Sequence, residues 1–184
     1  KIVERPKKKL YFIYNPHAGK EHIKGKMYGI IKVLADAGYE LTVYPTKGCQ
    51  DATERIRNLS EDYALVVCSG GDGTLDEVVT GMMQREHRIP IGYIPAGTCN
   101  DFARSLQIPA NMQRSAEIAV HGEDFSFDVG SFNDKNFIYI AAFGIFTDVS
   151  YSTKQEAKNA LGQMAYILEG MKRLYNVKSY YLKV

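Results

Sequence analysis

The 184-residue sequence has no tryptophan and few cysteines, only Cys49, Cys68 and Cys99. An odd number in unrelated contexts makes neither a disulfide framework nor a metal-ligand cluster, so a reducing cytoplasm is the expected compartment. Long apolar runs are missing too. None approaches the roughly 20 residues that a membrane span needs, and residues 1–9 lack the apolar stretch of a signal peptide. Charge is balanced: 23 Lys and Arg against 21 Asp and Glu leave a formal net charge of +2, too little to argue for a nucleic-acid partner. There are no internal repeats or low-complexity segments. No Gly-x-Gly-x-x-Gly follows the first expected strand, which argues against a redox dinucleotide fold. Apolar residues, by contrast, make up 45% of the chain, enough for the core of one sizeable domain or one and a piece.

Strand and helix patterns alternate. Residues 10–14 read as a strand. Residues 23–37 read as an amphipathic helix, with Ile23, Met27, Ile30, Ile31 and Leu34 on one side and Gly38 as its stop. A second strand is expected over 39–44, a helix over 51–59 and a third strand over 63–68. The apolar run from Ala64 to Val67 suits a strand covered on both faces. A helix over 75–84, a short strand over 91–94 and helical segments near 101–106 and 112–121 follow. This order predicts an α/β fold, a parallel sheet with helices on both faces. Ligands of such sheets sit beyond the carboxyl ends of the strands. Segments 15–20, 46–51, 70–74 and 95–101 all follow strands, so one edge should gather them. The pattern changes near Gly122. Residues 125–132 and 136–143 read as strands joined by the hairpin signal Asn133-Asp134-Lys135, then 157–175 as a long helix and 178–184 as a strand. A last strand with no successor would leave an unpaired edge, so an antiparallel, β-rich second domain that is truncated here is expected.

The densest signal is Gly70-Gly71-Asp72-Gly73-Thr74, between the third strand and its helix. Gly70, Gly71 and Gly73 allow positive φ and close approach of a ligand to the backbone. Thr74 and Glu77 have capping-box spacing, which sets a helix start at the turn. The first amides of that helix lack partners and carry the positive end of its dipole, so an anion fits there. Asp72 would repel a bound phosphate unless a magnesium ion lay between them, directly or through water. Asn15-Pro16-His17-Ala18-Gly19-Lys20 follows the first strand, with an amide donor at Asn15 and a cation at Lys20. Pro95-Ala96-Gly97-Thr98-Cys99-Asn100-Asp101-Phe102-Ala103-Arg104 follows the fourth. There Thr98 offers a hydroxyl, Asn100 or Asp101 suits a helix cap, and Arg104 reaches either Asp101 or a phosphate.

The three strings NPHAG, GGDGT and PAGTCNDFAR, in this order, resemble the catalytic domain shared by diacylglycerol kinases, sphingosine and ceramide kinases and soluble bacterial lipid kinases. The resemblance spans essentially the whole chain and looks most like the bacterial type. It implies a phosphofructokinase- or NAD-kinase-like nucleotide-binding domain over 1–122 and the beginning of a lipid-substrate domain over 123–184. It implies nucleotide contacts at Asn15, Pro16, His17, Ala18, Gly19, Thr46, Gly70, Gly71, Asp72, Gly73, Thr74, Leu75, Asp76, Glu77 and Thr98. The family's loop after the second strand has Gly before Asp-Ala, where this chain has Gln50. Asp72 and Asp128 correspond to members of an acidic network near the phosphates, Asp72 being the magnesium-side residue. Asp128 also suits a plain strand-end turn. Residues 143–148 resemble an aromatic-glycine segment that lines the cleft.

The implied reaction moves the ATP γ-phosphoryl group to a lipid hydroxyl such as that of diacylglycerol, with ATP and Mg2+ as cofactors. The partners are then the lipid and a membrane surface met peripherally, and the resemblance also allows a homodimer. The basic residues Arg5, Lys7, Lys8 and Lys9 are either a solvated tail or an attraction to anionic lipid, worth about 1 kcal/mol per basic residue. Lys20, Lys172 and Arg173 are further candidates for bilayer contact. The helical stripe Leu161, Met164, Leu168 and Met171 fits core packing as well as a membrane face. The family's general base is a glutamate in an Asp-Gly-Glu string late in the second domain. No such string occurs in this sequence, so no residue here is assigned that role and the chain alone is expected to be inactive. The rival readings are a soluble metabolite kinase of the NAD kinase or phosphofructokinase type, which shares the Gly-Gly-Asp-Gly turn, and a nucleotide-binding module without catalysis.

Overall fold

The computed structural model describes residues 8–19, 23–132 and 135–138. Strands β1 (Lys9–Tyr14), β2 (Glu40–Pro45), β3 (Tyr63–Gly70) and β4 (Ile91–Pro95) form one parallel sheet in the order β2-β1-β3-β4. Helices α1 (Met27–Asp36), α2 (Asp51–Arg57) and α3 (Asp72–Met83) follow the first three strands, and α4 (Asp101–Ser105) and α5 (Met112–His121) follow the fourth. The expected α/β class is what forms, because the central strands β1 and β3 each supply two apolar faces. Tyr11 and Ile13 of β1 pack with Ala52, Ile56, Leu75 and Val78 on the α2–α3 side. Leu10 and Phe12 pack with Ile30, Leu34 and Ala116 on the α1–α5 side. The chain leaves β1 for β2 on one flank, then crosses to β3 on the other. Strand order therefore reverses between β1 and β3, and ligands of open α/β sheets occupy the crevice beyond such a reversal.

Several boundaries differ from expectation for local reasons. Residues 23–26 form a turn ahead of α1, with Lys26 N donating to Ile23 O at 3.0 Å, although Ile23 is fully buried. Gly25, a poor helix former, lies in that turn. Gly38, at φ 88, ends α1 as expected. The strand expected over 125–132 is confined to β5 (Gly130–Phe132), which pairs antiparallel with β6 (Lys135–Phe137). Upstream, Phe125 stacks on Phe127 and Phe127 packs on Phe102 of α4, with ring centroids 6.4 and 5.1 Å apart. Those aromatics pack on α4 and on each other instead of on a neighbouring strand. The chain divides into two compact units, Lys1–Tyr139 and Ile140–Val184. The rest of the second hairpin strand, the helix over 157–175, the strand over 178–184 and the 143–148 segment lie outside the described residues.

Sequence reading passed over Arg85, in a run of polar residues after α3. Its side chain is 2% exposed and staples the end of α2 to the loop before β4. Nε donates to His87 O at 3.1 Å, one terminal nitrogen to Ile56 O at 3.2 Å and to Leu59 O, and the other to Glu61 at 2.7 Å. Replacing it leaves inward-facing carbonyls without donors. Arg85→Met should lower unfolding stability by about 2–3 kcal/mol. Arg85→Lys should recover less than half of that in denaturant titrations, because an ammonium cannot span the same acceptors.

Candidate functional site

All four strands point their carboxyl ends at one rim, and the backbone laces that rim together. Thr46 N donates to Tyr14 O at 2.8 Å, Asn15 N to Ser69 O at 2.9 Å and Ala96 N to Gly70 O at 2.8 Å, so each loop extends its neighbour's ladder by one residue. The buried Tyr93 hydroxyl donates to Gly70 O at 3.1 Å, and burial raises its pKa well above the usual phenol range.

Side chains and glycines then join the loops. Asn15 Nδ2 donates to Thr74 Oγ1 at 3.3 Å, across the β1–β3 reversal, and Asn15 Oδ1 accepts from His17 N at 2.9 Å. Gly19, at φ 43, lies so close to Ala96 that a Cβ would overlap its carbonyl oxygen. Gly71 and Gly97 meet backbone to backbone. A Cβ on Gly71 would stand 3.3 Å from the Gly97 Cα, and one on Gly97 would overlap the Gly71 Cα. The loops after β1, β3 and β4 are therefore one packed unit.

The helix on this rim starts earlier than the capping-box spacing predicts. Gly71 is the N-cap of α3, in extended conformation and without a side-chain cap bond, and Asp72, Gly73 and Thr74 make the first turn. The capping box fails because Thr74 lies inside the first turn and not at the N-cap; its hydroxyl accepts from Asn15 instead. Positive φ is not used here either: among the described residues only Gly19 and Gly38 of the glycines adopt it, and Gly70 instead leaves room for the Thr74 side chain. Thr74 N and Leu75 N both donate to Gly71 O, at 3.0 and 3.1 Å. The amides of Asp72 and Gly73 precede these bonds and have no intrahelical acceptor. A Cβ at Gly73 would meet nothing within 4 Å, so the space on that side of Gly73 is open.

Asp72 does something that its sequence context did not suggest. Its Oδ2 accepts from Asp101 N at 3.0 Å and its Oδ1 from Phe102 N at 3.2 Å. It caps α4 from a different helix. Asn100, expected with Asp101 as one of two alternative caps, sits at φ 54 with no cap bond and turns its side chain back on Gly97. Arg104 lies 3.8 Å from Asp101, an exposed contact worth little. No group of three or more His, Cys, Asp or Glu suited to a metal occurs among the described residues.

The remaining sequence-selected residues divide by position. Pro16, Thr46 and Thr98 are half-buried on the rim, and His17 is exposed there. Ala18 is buried, and Leu75 turns its side chain into the core beneath. Asp76 is half-buried; burial and then the neighbouring Glu77 raise its pKa, and a hydrogen bond from the Ile138 backbone partly offsets this. Glu77 anchors α2 by accepting Thr53 Oγ1 at its backbone oxygen, at 3.0 Å. Asp128 is exposed in the irregular stretch 123–129, and no hydrogen bond or ion pair among the described residues ties it to Asp72. Lys20, Lys172 and Arg173 lie outside the described residues.

A family model for the diacylglycerol kinase catalytic domain matches residues 9–132, which takes in every loop of this rim. The chain belongs to the diacylglycerol kinase catalytic-domain family. It is 40% identical over 169 residues to a diacylglycerol kinase of Staphylococcus carnosus (strain TM300), covering 91% of this chain and 55% of that protein. It is 38% identical over 179 residues to one from Staphylococcus aureus (strain bovine RF122 / ET3-1), covering 97% and 57%. A crystal structure of a diacylglycerol kinase from Bacillus anthracis str. Sterne superposes with a TM-score of 0.66 at 32% identity, covering 73% of this chain and 47% of that one. The chain thus spans about half the length of these relatives. Its departure at Gln50 has a backbone reading. Gln50 is at φ 69, in the left-handed region, where the lipid-kinase pattern has Gly.

Two expectations follow. Gly19→Ala and Gly97→Ala should each lose about 1–3 kcal/mol in chemical unfolding, because the added methyl meets fixed backbone. Gln50→Gly should hold or raise the melting temperature, since relief of about 1–2 kcal/mol of left-handed strain outweighs or matches roughly 0.5–1 kcal/mol of extra chain entropy.

Proposed function

We propose that the protein is an ATP-dependent lipid kinase, whose γ-phosphoryl acceptor is the hydroxyl of diacylglycerol or a related lipid. The observation that carries this reading is the laced rim, with open helix amides at Asp72 and Gly73 and open space on one side of Gly73, in a chain of the diacylglycerol kinase family. Those amides hold phosphate oxygens, with the α3 dipole behind them. Asn15 to Gly19, Thr46, Thr98 and the segment Gly70 to Glu77 surround the nucleotide. In the transfer, the acceptor oxygen bonds to the γ-phosphorus, the bond to the β-phosphate bridging oxygen breaks, and the hydroxyl proton goes to a base. These 184 residues supply positioning and charge, not the base. Both Asp72 oxygens already accept amides, so Asp72 would hold a magnesium ion only through water, and such an ion would supply neutralising charge at the phosphates. Asp128 joins the same acidic network on this reading.

The acceptor is a lipid, so the working enzyme docks on a membrane surface, with Lys20, Lys172 and Arg173 as contacts and the region from residue 123 onward as the start of the lipid-substrate domain. No helix among the described residues is long and apolar enough to cross a membrane. On this reading the 184-residue chain binds ATP but turns over no lipid.

Calorimetry with ATP and magnesium tests the binding, and labelled ATP with diacylglycerol micelles, NAD or fructose 6-phosphate tests the acceptor in a chain that carries an Asp-Gly-Glu second domain. Lack of ATP binding in the millimolar range would sink the proposal, as would transfer to NAD or the sugar phosphate in preference to lipid. Gly73→Ala separates folding from function. The methyl projects into open space and improves helix propensity by up to about 1 kcal/mol, so stability should hold or rise. The same methyl intrudes on the phosphate position and should weaken ATP binding by roughly 10-fold or more, about 1.4 kcal/mol.

A further inference from the structure

We propose that Asn100 is a positioning residue for ATP: it sets the phosphate rim by locking the β4 loop against Gly71. This rests on the ATP-binding reading above. Its carboxamide closes on a single residue from both sides: Gly97 N donates to Asn100 Oδ1 at 2.8 Å, and Asn100 Nδ2 donates to Gly97 O at 2.9 Å. Gly97 in turn presses on the Gly71 Cα. The residues that follow Asn100, Asp101 and Phe102, give their amides to Asp72, the residue that follows Gly71. The contacts form a closed ring, Gly71–Asp72–Asp101/Phe102–Asn100–Gly97–Gly71. Thr98 and Cys99 are the loop residues held between the two clamped ends.

Neither of the usual roles of this position requires asparagine. The left-handed backbone at φ 54 would suit glycine better. The cap on α4 is supplied by Asp72. What asparagine alone adds is a donor and an acceptor on one short planar group, matched to the carbonyl and amide of Gly97. Glycine there would keep the turn and release the loop. Aspartate would keep the acceptor and lose the donor.

The test uses the 184-residue chain, labelled with 15N, and two variants, Asn100→Gly and Asn100→Asp. Amide exchange at Gly97 reports the lock, exchange at Val67 in β3 reports the global fold, and calorimetry reports ATP affinity. Asn100→Gly should speed Gly97 exchange by roughly 10-fold or more, leave Val67 unchanged and weaken ATP binding by roughly 10-fold. Asn100→Asp should keep Gly97 protected, because its acceptor remains. Wild-type Gly97 exchange in Asn100→Gly overturns the lock. Wild-type ATP affinity in that variant overturns the positioning role alone. Equal acceleration at Gly97 and Val67 also overturns it, since the effect is then global. Failure of the unmodified chain to bind ATP overturns the kinase reading beneath it.

Discussion

The carboxylate of Asp72 is the contact on which the rest of the rim depends. It sits in the first turn of α3 and takes the first two amides of α4, so one negative charge lies at the positive ends of two helices. A carboxylate next to a phosphate position looks self-defeating in sequence alone. In the fold the carboxylate faces the first two amides of α4, so both of its oxygens have donors. The arrangement also makes α4, only five residues long, stand in a definite place. So short a helix has little stability of its own and needs tertiary contacts at its start.

The grip of Asp72 works because glycine brings the strand ends within reach. Gly19 and Gly97 leave out methyl groups that would strike backbone, and this lets three loops lie in contact. Gly73 faces the other way, into open space. The string Gly70-Gly71-Asp72-Gly73-Thr74 therefore mixes residues that close the protein on itself with one that keeps a surface clear. Removing Cβ serves packing at one position and access two residues later.

Most of the architecture was legible because it depends on periodicity. Leu10 and Phe12 alternate with Tyr11 and Ile13, and two buried faces follow from that alone. Helix and strand order then gives the parallel sheet and the common rim. What escaped were interactions between residues distant in sequence. Thr74 has the neighbours of a capping box, yet its hydroxyl is used by Asn15, 59 positions away. Asn100 and Asp101 look like a cap, yet the cap comes from Asp72, 29 and 30 positions before the amides that it takes. Phe125 and Phe127 alternate like a strand, yet Phe127 packs on α4. Arg85 reads as one more surface charge because the carbonyls that bury it belong to other segments. Gln50 differs again: it stands where the family pattern has Gly, and its backbone, at φ 69, lies in the region that Gly adopts most easily.

Distance along the chain also explains why the rim holds as a unit. Each lacing contact joins segments that follow different strands, so each depends on the sheet having brought its own pair of strands side by side. The sheet's core is apolar and nearly closed, and its register is fixed along the whole of β3 from Leu65 onward. The polar contacts add little net stability each, on the order of 1 kcal/mol. Their weight is geometric. Hydrophobic burial decides that the strands lie together, and hydrogen bonds at their ends decide where Gly71, Asp72 and Gly97 come to rest. A loop change that spares the core can therefore move the rim without unfolding the protein.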